Sequence, residues 1–336
     1  MRIFRHHDAV PPEARGAVVV VGNFDGVHRG HQAVIAEARR IATSLSRPLA
    51  LITFEPHPRS YFFPGRPPFR LTPLRIKAHC LEALGVEYLF VLHFDAKIAL
   101  LSPEDFVREV LVGGLGASHV VIGYNFVFGK ARAGNAETLT ALGKRFGFEV
   151  TTVSPAGIGA EIFSSTRIRE HLASGRPAEA ASLLGRCWEI EGRVVPGDKR
   201  GRELGVPTAN IHFEELLHPG RGIYAVRAGV DHGAETVWHD AVASFGLRPA
   251  VGGNSDVLEA HLFDFTGDLY GRHLRVALVE YLRPERDFNS LDDLAVQMRE
   301  DCSAARELLV ARKNEIRVAE RPTLDAAPLF KSGTHS

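Results

Sequence analysis

The first half of the chain is organised around residues 18–31, which read VVVVGNFDGVHRGH. Four consecutive valines predict a strand buried on both faces, and the glycine-containing loop after them leads directly into a helical pattern. Two histidines, His28 and His31, lie where that helix begins. The loop has neither the G-x-G-x-x-G pattern of dinucleotide-binding folds nor the Lys-Ser/Thr pair of a P-loop. The stretch therefore predicts a different kind of ligand site, at the carboxyl end of a buried strand.

Strand and helix patterns alternate outward from this motif. Further apolar runs predict buried strands at 49–53, 88–92, 119–123 and 150–153. Helical patterns fall between them, at 30–43, 73–85, 103–111 and 136–146. Alternation of this kind gives a parallel sheet, and such sheets bind ligands at the carboxyl ends of their strands. We predict an α/β domain over residues 1–185.

The pattern changes near Arg186, where short strands separated by glycine and proline replace the helices. Runs at 188–195, 222–230, 236–245, 257–265 and 274–282 predict antiparallel strands of a small β-barrel. Apolar residues at three- and four-residue steps from Leu291 to Leu309 predict a C-terminal helix that closes the barrel, with Ser290 as its cap. We expect this barrel domain over residues 186–316 and a loose tail over 317–336.

The composition excludes several classes of protein. The 336 residues correspond to about two domains. Forty Lys plus Arg balance forty Asp plus Glu, which argues against a protein that binds nucleic acid by counterion release. Three widely separated cysteines indicate neither a disulfide framework nor a zinc site. Because no apolar run is long enough for a membrane span and the N-terminus lacks the apolar stretch of a signal peptide, we expect a soluble, cytoplasmic protein.

The histidine loop has the chemistry of a phosphate site. Gly26 and Gly30 allow close approach of the backbone, and the N–H groups at a helix start favour phosphate. His28 and His31 can donate hydrogen bonds to phosphoryl oxygens as charge develops. Residues 164–169, SSTRIR, follow the last predicted strand and offer hydroxyl and guanidinium groups to the same ligand. The alternatives are surface histidines and ordinary helix caps, and two histidines without a third ligand make a weak metal site.

A second glycine-rich, basic stretch lies in the barrel half, at residues 192–210, GRVVPGDKRGRELGVPTAN. Its glycines expose backbone N–H groups, Lys199 and Arg202 supply positive charge, and Thr208 and Asn210 supply hard oxygen atoms suited to Mg²⁺. These are the components of a triphosphate site without P-loop geometry. The alternative is a solvated hairpin loop.

The motifs of the first half resemble the FMN adenylyltransferase module of bacterial bifunctional riboflavin kinase/FAD synthetases. The resemblance rests on the His-x-Gly-His loop, on SSTRIR, and on the strings GNFDGVH (22–28), TFEPHP (53–58) and GYNFVFG (123–129). It implies a Rossmann-like nucleotidyltransferase domain that transfers AMP from ATP to FMN, releasing pyrophosphate and forming FAD. The catalytic residues that it implies are His28 and His31. It further assigns ATP binding to Gly22, Asn23, Phe24, Asp25, Gly30, Ser165, Thr166 and Arg169, and the flavin side to Asn125, Phe128, Pro56 and His57.

The motifs of the second half are similar to the riboflavin kinase module of the same family. They are PTAN (207–210) and LEAHLFDF (258–265), the latter followed by DLYG (268–271). The resemblance implies that riboflavin is phosphorylated by ATP, with Glu259 as the general base for its 5′-hydroxyl. It implies Mg²⁺ at both sites, held in the barrel by Thr208 and Asn210. It assigns ATP binding in the barrel to Gly197, Lys199, Gly201, Arg202, Thr208 and Asn210.

One stretch departs from the family's pattern. Ser244 and Ala250 stand where the family has Asn and Thr, whereas Gly246, Arg248 and Pro249 remain, so we expect the turn there to be kept. The loss of an amide and a hydroxyl leaves open an FMN adenylyltransferase with an impaired kinase barrel. A flavin-binding regulator without turnover and an adenylyltransferase for another phosphate are two further hypotheses. The expected partners are riboflavin, FMN and ATP, with no nucleic acid and no membrane.

Overall fold

The structure is a computed structural model that describes residues 1–158, 161–196, 206–213, 215–232, 235–250 and 253–319. The chain divides into two compact units, Met1–Ile168 with Leu183–Gly185, and Arg169–Ser182 with Arg186–Ser336. The sequence prediction placed all of 1–185 in the first domain, whereas Arg169–Ser182 groups with the barrel. One interaction within this second unit is the hydrogen bond from Gly220 N to Leu172 O, 2.8 Å long.

A sheet of parallel strands forms the centre of the first unit. Its strands are β1 (Arg2–Phe4), β2 (Val18–Val21), β3 (Leu49–Glu55), β4 (Tyr88–His93), β5 (His119–Gly123) and β6 (Glu149–Val153). They lie in the order β1-β4-β3-β2-β5-β6, and all neighbouring pairs are parallel. The five predicted strands are confirmed to within two residues, and all four valines of β2 are buried. The edge strand β1 was not predicted, because a segment of three residues is too short to show a periodic pattern of apolar residues.

Helices connect these strands. They are α1 (Arg29–Leu45), α2 (Pro58–Phe62), α3 (Leu74–Ala83), α4 (Ala96–Leu100), α5 (Pro103–Asp105), which continues as a π-helix over Phe106–Gly114, and α6 (Ala136–Phe146). Short 3-10 turns lie at Pro12–Ala14 and Lys130–Arg132, and the hairpin β7 (Gly157–Ile158) and β8 (Glu161–Ile162) precedes α7 (Ser165–Ala173) and α8 (Pro177–Leu184). Because β2 lies between β3 and β5, the strand order reverses beside it. The loops after β2 and β5 therefore border the crevice where open α/β sheets bind ligands.

A closed antiparallel barrel forms the centre of the second unit. Its strands are β9 (Trp188–Val195), β10 (Ala209–Ile211), β11 (Gly222–His232), β12 (Glu235–Ala250), β13 (Gly253–Leu262) and β14 (His273–Arg283), in the order β10-β13-β12-β11-β14-β9. The sequence predicted five of them and treated β10 as a loop. The expected turn at Ser244–Ala250 is wrong. That stretch is the end of β12 and pairs with β13 up to Ala250 opposite Gly253, which satisfies its backbone groups in a longer hairpin.

The predicted closing helix is confirmed as α9, Leu291–Ala311. The Ser290 side chain caps it by accepting a hydrogen bond from Asp293 N, 3.1 Å away. On the inner side of the helix, Ala305 and Leu309 pack in one buried cluster with Ala225 of β11 and Val242 of β12. In the part of the chain that the structure describes, no helix combines the length and apolar character needed to cross a membrane.

A buried ion pair ties the C-terminal segment to the barrel. Arg275 donates from Nε and Nη2 to Oε2 of Glu189, at 2.9 and 2.6 Å, and both side chains are about 1% exposed. The same two residues bind the backbone of Ala319, whose N–H donates to Glu189 and whose carbonyl accepts from Arg275. Residues 317–319, placed by the sequence in a loose tail, are thus hydrogen-bonded to the barrel. Residues 320–336 lie outside the described residues.

Replacing Glu189 by Gln is expected to destabilise the barrel by about 3 kcal/mol, because removal of one partner leaves the buried guanidinium of Arg275 uncompensated. Both tryptophans of the chain, Trp188 and Trp238, lie in the barrel, so their fluorescence during urea unfolding reports this unit. The exposed Glu307→Gln serves as the control with the same change of charge. Equal unfolding midpoints for the two variants would contradict the prediction.

Candidate active sites

The loop after β2 brings the two predicted histidines together. His28 is the N-cap of α1, and its Nδ1 accepts a hydrogen bond from the backbone N–H of His31 at 3.3 Å. The two rings stack, with centroids 3.6 Å apart and planes at 18°. Gly30 leaves room for the His28 ring, because a Cβ there would approach that ring to 3.1 Å, closer than most such contacts. Because Nδ1 of His28 accepts this hydrogen bond, the ring carries its proton on Nε2.

Buried hydrogen bonds hold this loop in place. The Asp25 carboxylate is 4% exposed and accepts from the backbone N–H groups of Leu71 and Thr72, with closest distances of 2.9 and 3.1 Å. The Ser165 hydroxyl donates to the Asp25 carbonyl at 2.7 Å, which brings the start of α7 to the loop, as the sequence predicted. Phe24 is also buried, at 4% exposure. Asp25 and Phe24, expected to bind ATP, therefore have their side chains occupied in shaping the loop.

A buried lysine that the sequence analysis missed lies beneath the loop. Lys77 of α3 is 1% exposed and donates to the Asn23 carbonyl at 2.9 Å. Its Nζ lies 3.6 Å from Oε1 of Glu55, which also accepts from Arg70 at 2.6 Å. A lysine on the buried face of a predicted helix was the available signal. This lysine provides a positive charge behind the backbone that would face a phosphate.

The same surroundings decide the protonation of His31. Burial, and then the nearby His28 and Lys77, lower the pKa of His31 well below its usual value. Burial likewise lowers the pKa of Lys77, although Glu55 opposes this. At neutral pH His31 is therefore a neutral ring. A phosphate bound at this loop would therefore meet an uncharged His31 ring.

Aromatic side chains form an exposed surface along the same edge of the sheet. Tyr61 and Phe62 of α2 and Phe94 after β4 pack edge to face with one another, with centroids 5.3 to 5.7 Å apart. Phe62 is 55% exposed. Pro56 and His57 lead into α2, and Nδ1 of His57 accepts from Arg59 N at 3.0 Å. The predicted Pro56–His57 loop therefore supports an aromatic surface that the sequence analysis did not identify.

The loop after β5 carries two of the residues predicted to lie at the flavin, Asn125 and Phe128. Phe128 is 7% exposed and packs in the core of the unit against Phe126 and Phe106, so its ring supports the loop from inside. Asn125 is exposed on this loop, as a ligand contact requires. Thr166 is exposed at the start of α7, and Arg169 lies on the same helix.

In the barrel, a row of polar residues crosses three adjacent strands. Asn210 of β10 and Ser244 of β12 both pair directly with Glu259 of β13, so their side chains share one face. The Thr208 hydroxyl donates to Oε2 of Glu259 at 3.3 Å. His261 lies on the Thr208 side, with Nδ1 2.8 Å from the carbonyl of Pro207. The structure thus brings Thr208, Asn210 and Glu259 together, whereas Gly197, Lys199, Gly201 and Arg202 lie outside the described residues.

This row opens onto a cavity of about 320 Å³ between the outer face of the barrel and α9. Its lining includes the polar side chains of Thr208, Ser244 and Glu259 and an apolar wall of Phe288, Leu294 and Met298. A network closes the helix side: Arg283 donates to both oxygens of Asp301 at 2.7 and 2.6 Å, and Gln297 donates to the same carboxylate. The cavity has the mixed character of a site for a ligand with an apolar body and a polar chain.

The donor atoms in this row suit a magnesium ion. Asn210 is 6% exposed, and its Oδ1 is buried with no hydrogen-bond partner among the residues that the structure describes. An amide oxygen beside a hydroxyl oxygen is a hard donor set, and Mg²⁺ normally completes its shell with water and substrate phosphates. The described residues contain no cluster of three or more His, Cys, Asp or Glu that could hold a metal by itself. The residues present therefore fit an ion that is shared with a nucleotide.

Comparison with known proteins gives each half a match. Residues 10–167 match the family model described as FAD synthetase, and residues 184–309 match the one described as riboflavin kinase. The Escherichia coli K12 protein named bifunctional riboflavin kinase/FMN adenylyltransferase is 38% identical over 301 residues, which cover 90% of this chain and 95% of the relative. The protein of the same name from Pseudomonas fluorescens is 40% identical over 309 residues, covering 92% and 98%.

A solved structure extends this likeness to three dimensions. It is named macrolide-efflux protein, from Streptococcus pneumoniae, and it matches with a TM-score of 0.80 and 30% identity over 90% of this chain and 98% of that chain. The similarity concerns the fold of nearly the whole chain.

Proposed function

This chain belongs to the bifunctional riboflavin kinase/FMN adenylyltransferase family, and from that premise we propose which residues carry out each of its two reactions. It is an enzyme that phosphorylates riboflavin to FMN with ATP and transfers AMP from ATP to FMN, forming FAD. The observation that supports two separate sites is that the stacked histidines and the Thr208–Asn210–Glu259 row lie in different compact units. Residues 1–185 would carry the adenylyltransferase and 186–316 the kinase.

In the adenylyltransferase half, an oxygen of the FMN phosphate attacks the α-phosphorus of ATP. A new P–O bond forms as the bond to the bridging oxygen breaks, and pyrophosphate leaves. His28 donates from Nε2 and the N–H groups at the start of α1 face the same charge, which stabilises the phosphoryl oxygens in the transition state. Thr166 and Arg169 bind the departing phosphates, while Ser165 holds the loop. The flavin ring packs on the surface of Tyr61 and Phe62, near Asn125.

In the kinase half, Glu259 accepts the proton of the riboflavin 5′-hydroxyl as that oxygen attacks the γ-phosphorus of ATP, and ADP leaves. The hydrogen bond from Thr208 fixes the carboxylate beside the residues that face the phosphates. Thr208 and Asn210 would hold Mg²⁺, which neutralises charge on the triphosphate when bound. No covalent enzyme intermediate is needed, so positioning supplies most of the rate.

An impaired kinase barrel is the alternative raised by Ser244 and Ala250. Ser244 lines the cavity directly opposite Glu259, so a polar side chain is retained at that position. The side chain of Ala250 lies outside the described residues. Both family matches cover their modules, which favours two active sites. We propose a cytoplasmic location because the three cysteines are free. We propose that the protein has no nucleic-acid partner because its net charge is neutral.

Incubation of the full chain with riboflavin, ATP and Mg²⁺ is expected to yield FMN and then FAD, resolved by chromatography. Replacing Mg²⁺ with a chelator should stop both products, because two triphosphates lose their counter-ion. The formation of FAD from supplied FMN without any FMN from riboflavin would establish the impaired-kinase alternative. Full activity in chelator would contradict the proposed magnesium.

A further inference from the structure

One carboxylate at the cavity has no part in the mechanism above. Glu285, in the segment after β14, lines the cavity together with Glu259. Among the residues that the structure describes, its carboxylate has no hydrogen-bond or ion-pair partner. It packs on the backbone of Gly246, where an added Cβ would overlap it. A glycine at 246 therefore provides the space that this carboxylate occupies.

The pairing of β12 with β13 fixes where Glu285 lies relative to Glu259. Ser244 pairs with Glu259 and Gly246 with Val257, so the carboxylate of Glu285 lies about 7 Å further along the strands than the base. Asn210 lies level with Glu259, with which it pairs, and Thr208 lies on the opposite side of Glu259 from Glu285, because β10 runs antiparallel to β13. The order along the cavity is thus Thr208, then Glu259, then Glu285.

This order matches the order of groups in the substrate. If the 5′-hydroxyl of riboflavin is at Glu259 and the triphosphate is on the Thr208 side, the rest of the ribityl chain runs toward Glu285. The apolar wall at Phe288, Leu294 and Met298 remains for the ring. Burial and the carboxylates of Asp256 and Glu259 raise the pKa of Glu285, whereas Arg221 and Arg283 lower it.

We infer that Glu285 is a substrate-binding residue of the kinase site, which accepts hydrogen bonds from the secondary hydroxyl groups of the ribityl chain. The inference rests on the proposed assignment of this cavity to riboflavin and extends it to specificity. A flavin with a bare alkyl chain leaves this carboxylate unpaired, and an unpaired partner is what makes a site reject an analogue that lacks a hydroxyl. A triphosphate is excluded from this position by charge.

The test compares riboflavin with an analogue whose ribityl chain is replaced by an unbranched hydroxypentyl chain, which retains the terminal hydroxyl. Phosphorylation of both is measured for the wild type and for Glu285→Ala, with Glu285→Gln as the conservative variant. We expect Glu285→Ala to raise KM for riboflavin about tenfold with kcat nearly unchanged, and to leave KM for the analogue unchanged. Glu285→Gln, which keeps an acceptor oxygen, should fall between.

Two further variants separate binding from structure. Gly246→Ala displaces the carboxylate and should raise KM for riboflavin as Glu285→Ala does. The double variant should have a KM no higher than that of either single variant. Glu300→Ala, on the exposed surface of α9, removes the same charge outside the cavity and should change nothing. Flavin fluorescence quenching gives dissociation constants for both flavins even without turnover. Flavin binding to the adenylyltransferase half contributes the same background signal in every variant, because these substitutions lie in the barrel.

Two outcomes would overturn the inference. One is an equal loss of affinity for riboflavin and for the analogue in Glu285→Ala, which indicates a structural role. The other is an unchanged affinity for both flavins in that variant. A wild type that binds both flavins but phosphorylates neither would instead overturn the proposed kinase function, and the dissociation constants would still decide the role of Glu285.

Discussion

Glu259→Gln is expected to lower the rate of FMN formation by at least about a thousandfold while leaving the conversion of FMN to FAD unchanged. The amide is isosteric and can still accept the hydrogen bond from Thr208, so the row of residues keeps its geometry. It cannot accept the proton of the 5′-hydroxyl, and general-base catalysis typically contributes a hundredfold to ten-thousandfold. The two half-reactions are measured separately, with riboflavin and with FMN as the supplied flavin.

The control for this change is Glu300→Gln, a substitution of the same kind on the exposed surface of α9. Loss of both activities in Glu259→Gln would mean that the two units do not work independently. Retention of FMN formation would show that the 5′-hydroxyl loses its proton without Glu259, and the kinase mechanism proposed above would be wrong.

The strands and the closing helix could be predicted because the spacing of their apolar residues is visible within a single segment of the sequence. The run of valines in β2 and the three- and four-residue steps of α9 each specify a structure within one segment, and both are present with the expected bounds to within a few residues. β10 escaped prediction because Ala209–Ile211 is a strand only through its partners, β9 and β13. Its sequence alone reads equally well as a loop.

The site was less predictable than the fold for the same reason. The histidines and Ser165 could be identified because their motifs are contiguous, and the structure brings them to one loop. Lys77 and Glu285 contact the sites from segments that carry no motif, so only the folded chain reveals them. Phe128 is a different case, because it stands inside a predicted binding motif and its side chain packs in the core that supports the loop.

His28→Ala is expected to lower the rate of FAD formation from FMN by about a hundredfold to a thousandfold, the usual effect of removing one donor to a developing oxyanion. FMN formation from riboflavin should be unchanged. His31→Ala should also slow FAD formation, since it removes the ring that packs 3.6 Å from His28 and holds its orientation. Both half-reactions are measured as for Glu259.

The losses in the rate of FAD formation caused by His28→Ala and His31→Ala are expected not to be additive in free energy. The two rings stack on each other, so removal of either side chain disturbs the orientation of the other. The double variant should therefore be only slightly slower than His28→Ala. Because the pKa of His31 is lowered well below its usual value, loss of this residue should also leave the pH dependence of FAD formation near neutrality unchanged. If the two effects multiplied, the histidines would act independently of each other, and if His31→Ala removed an ionisation near pH 7, the neutral state assigned to His31 would be wrong.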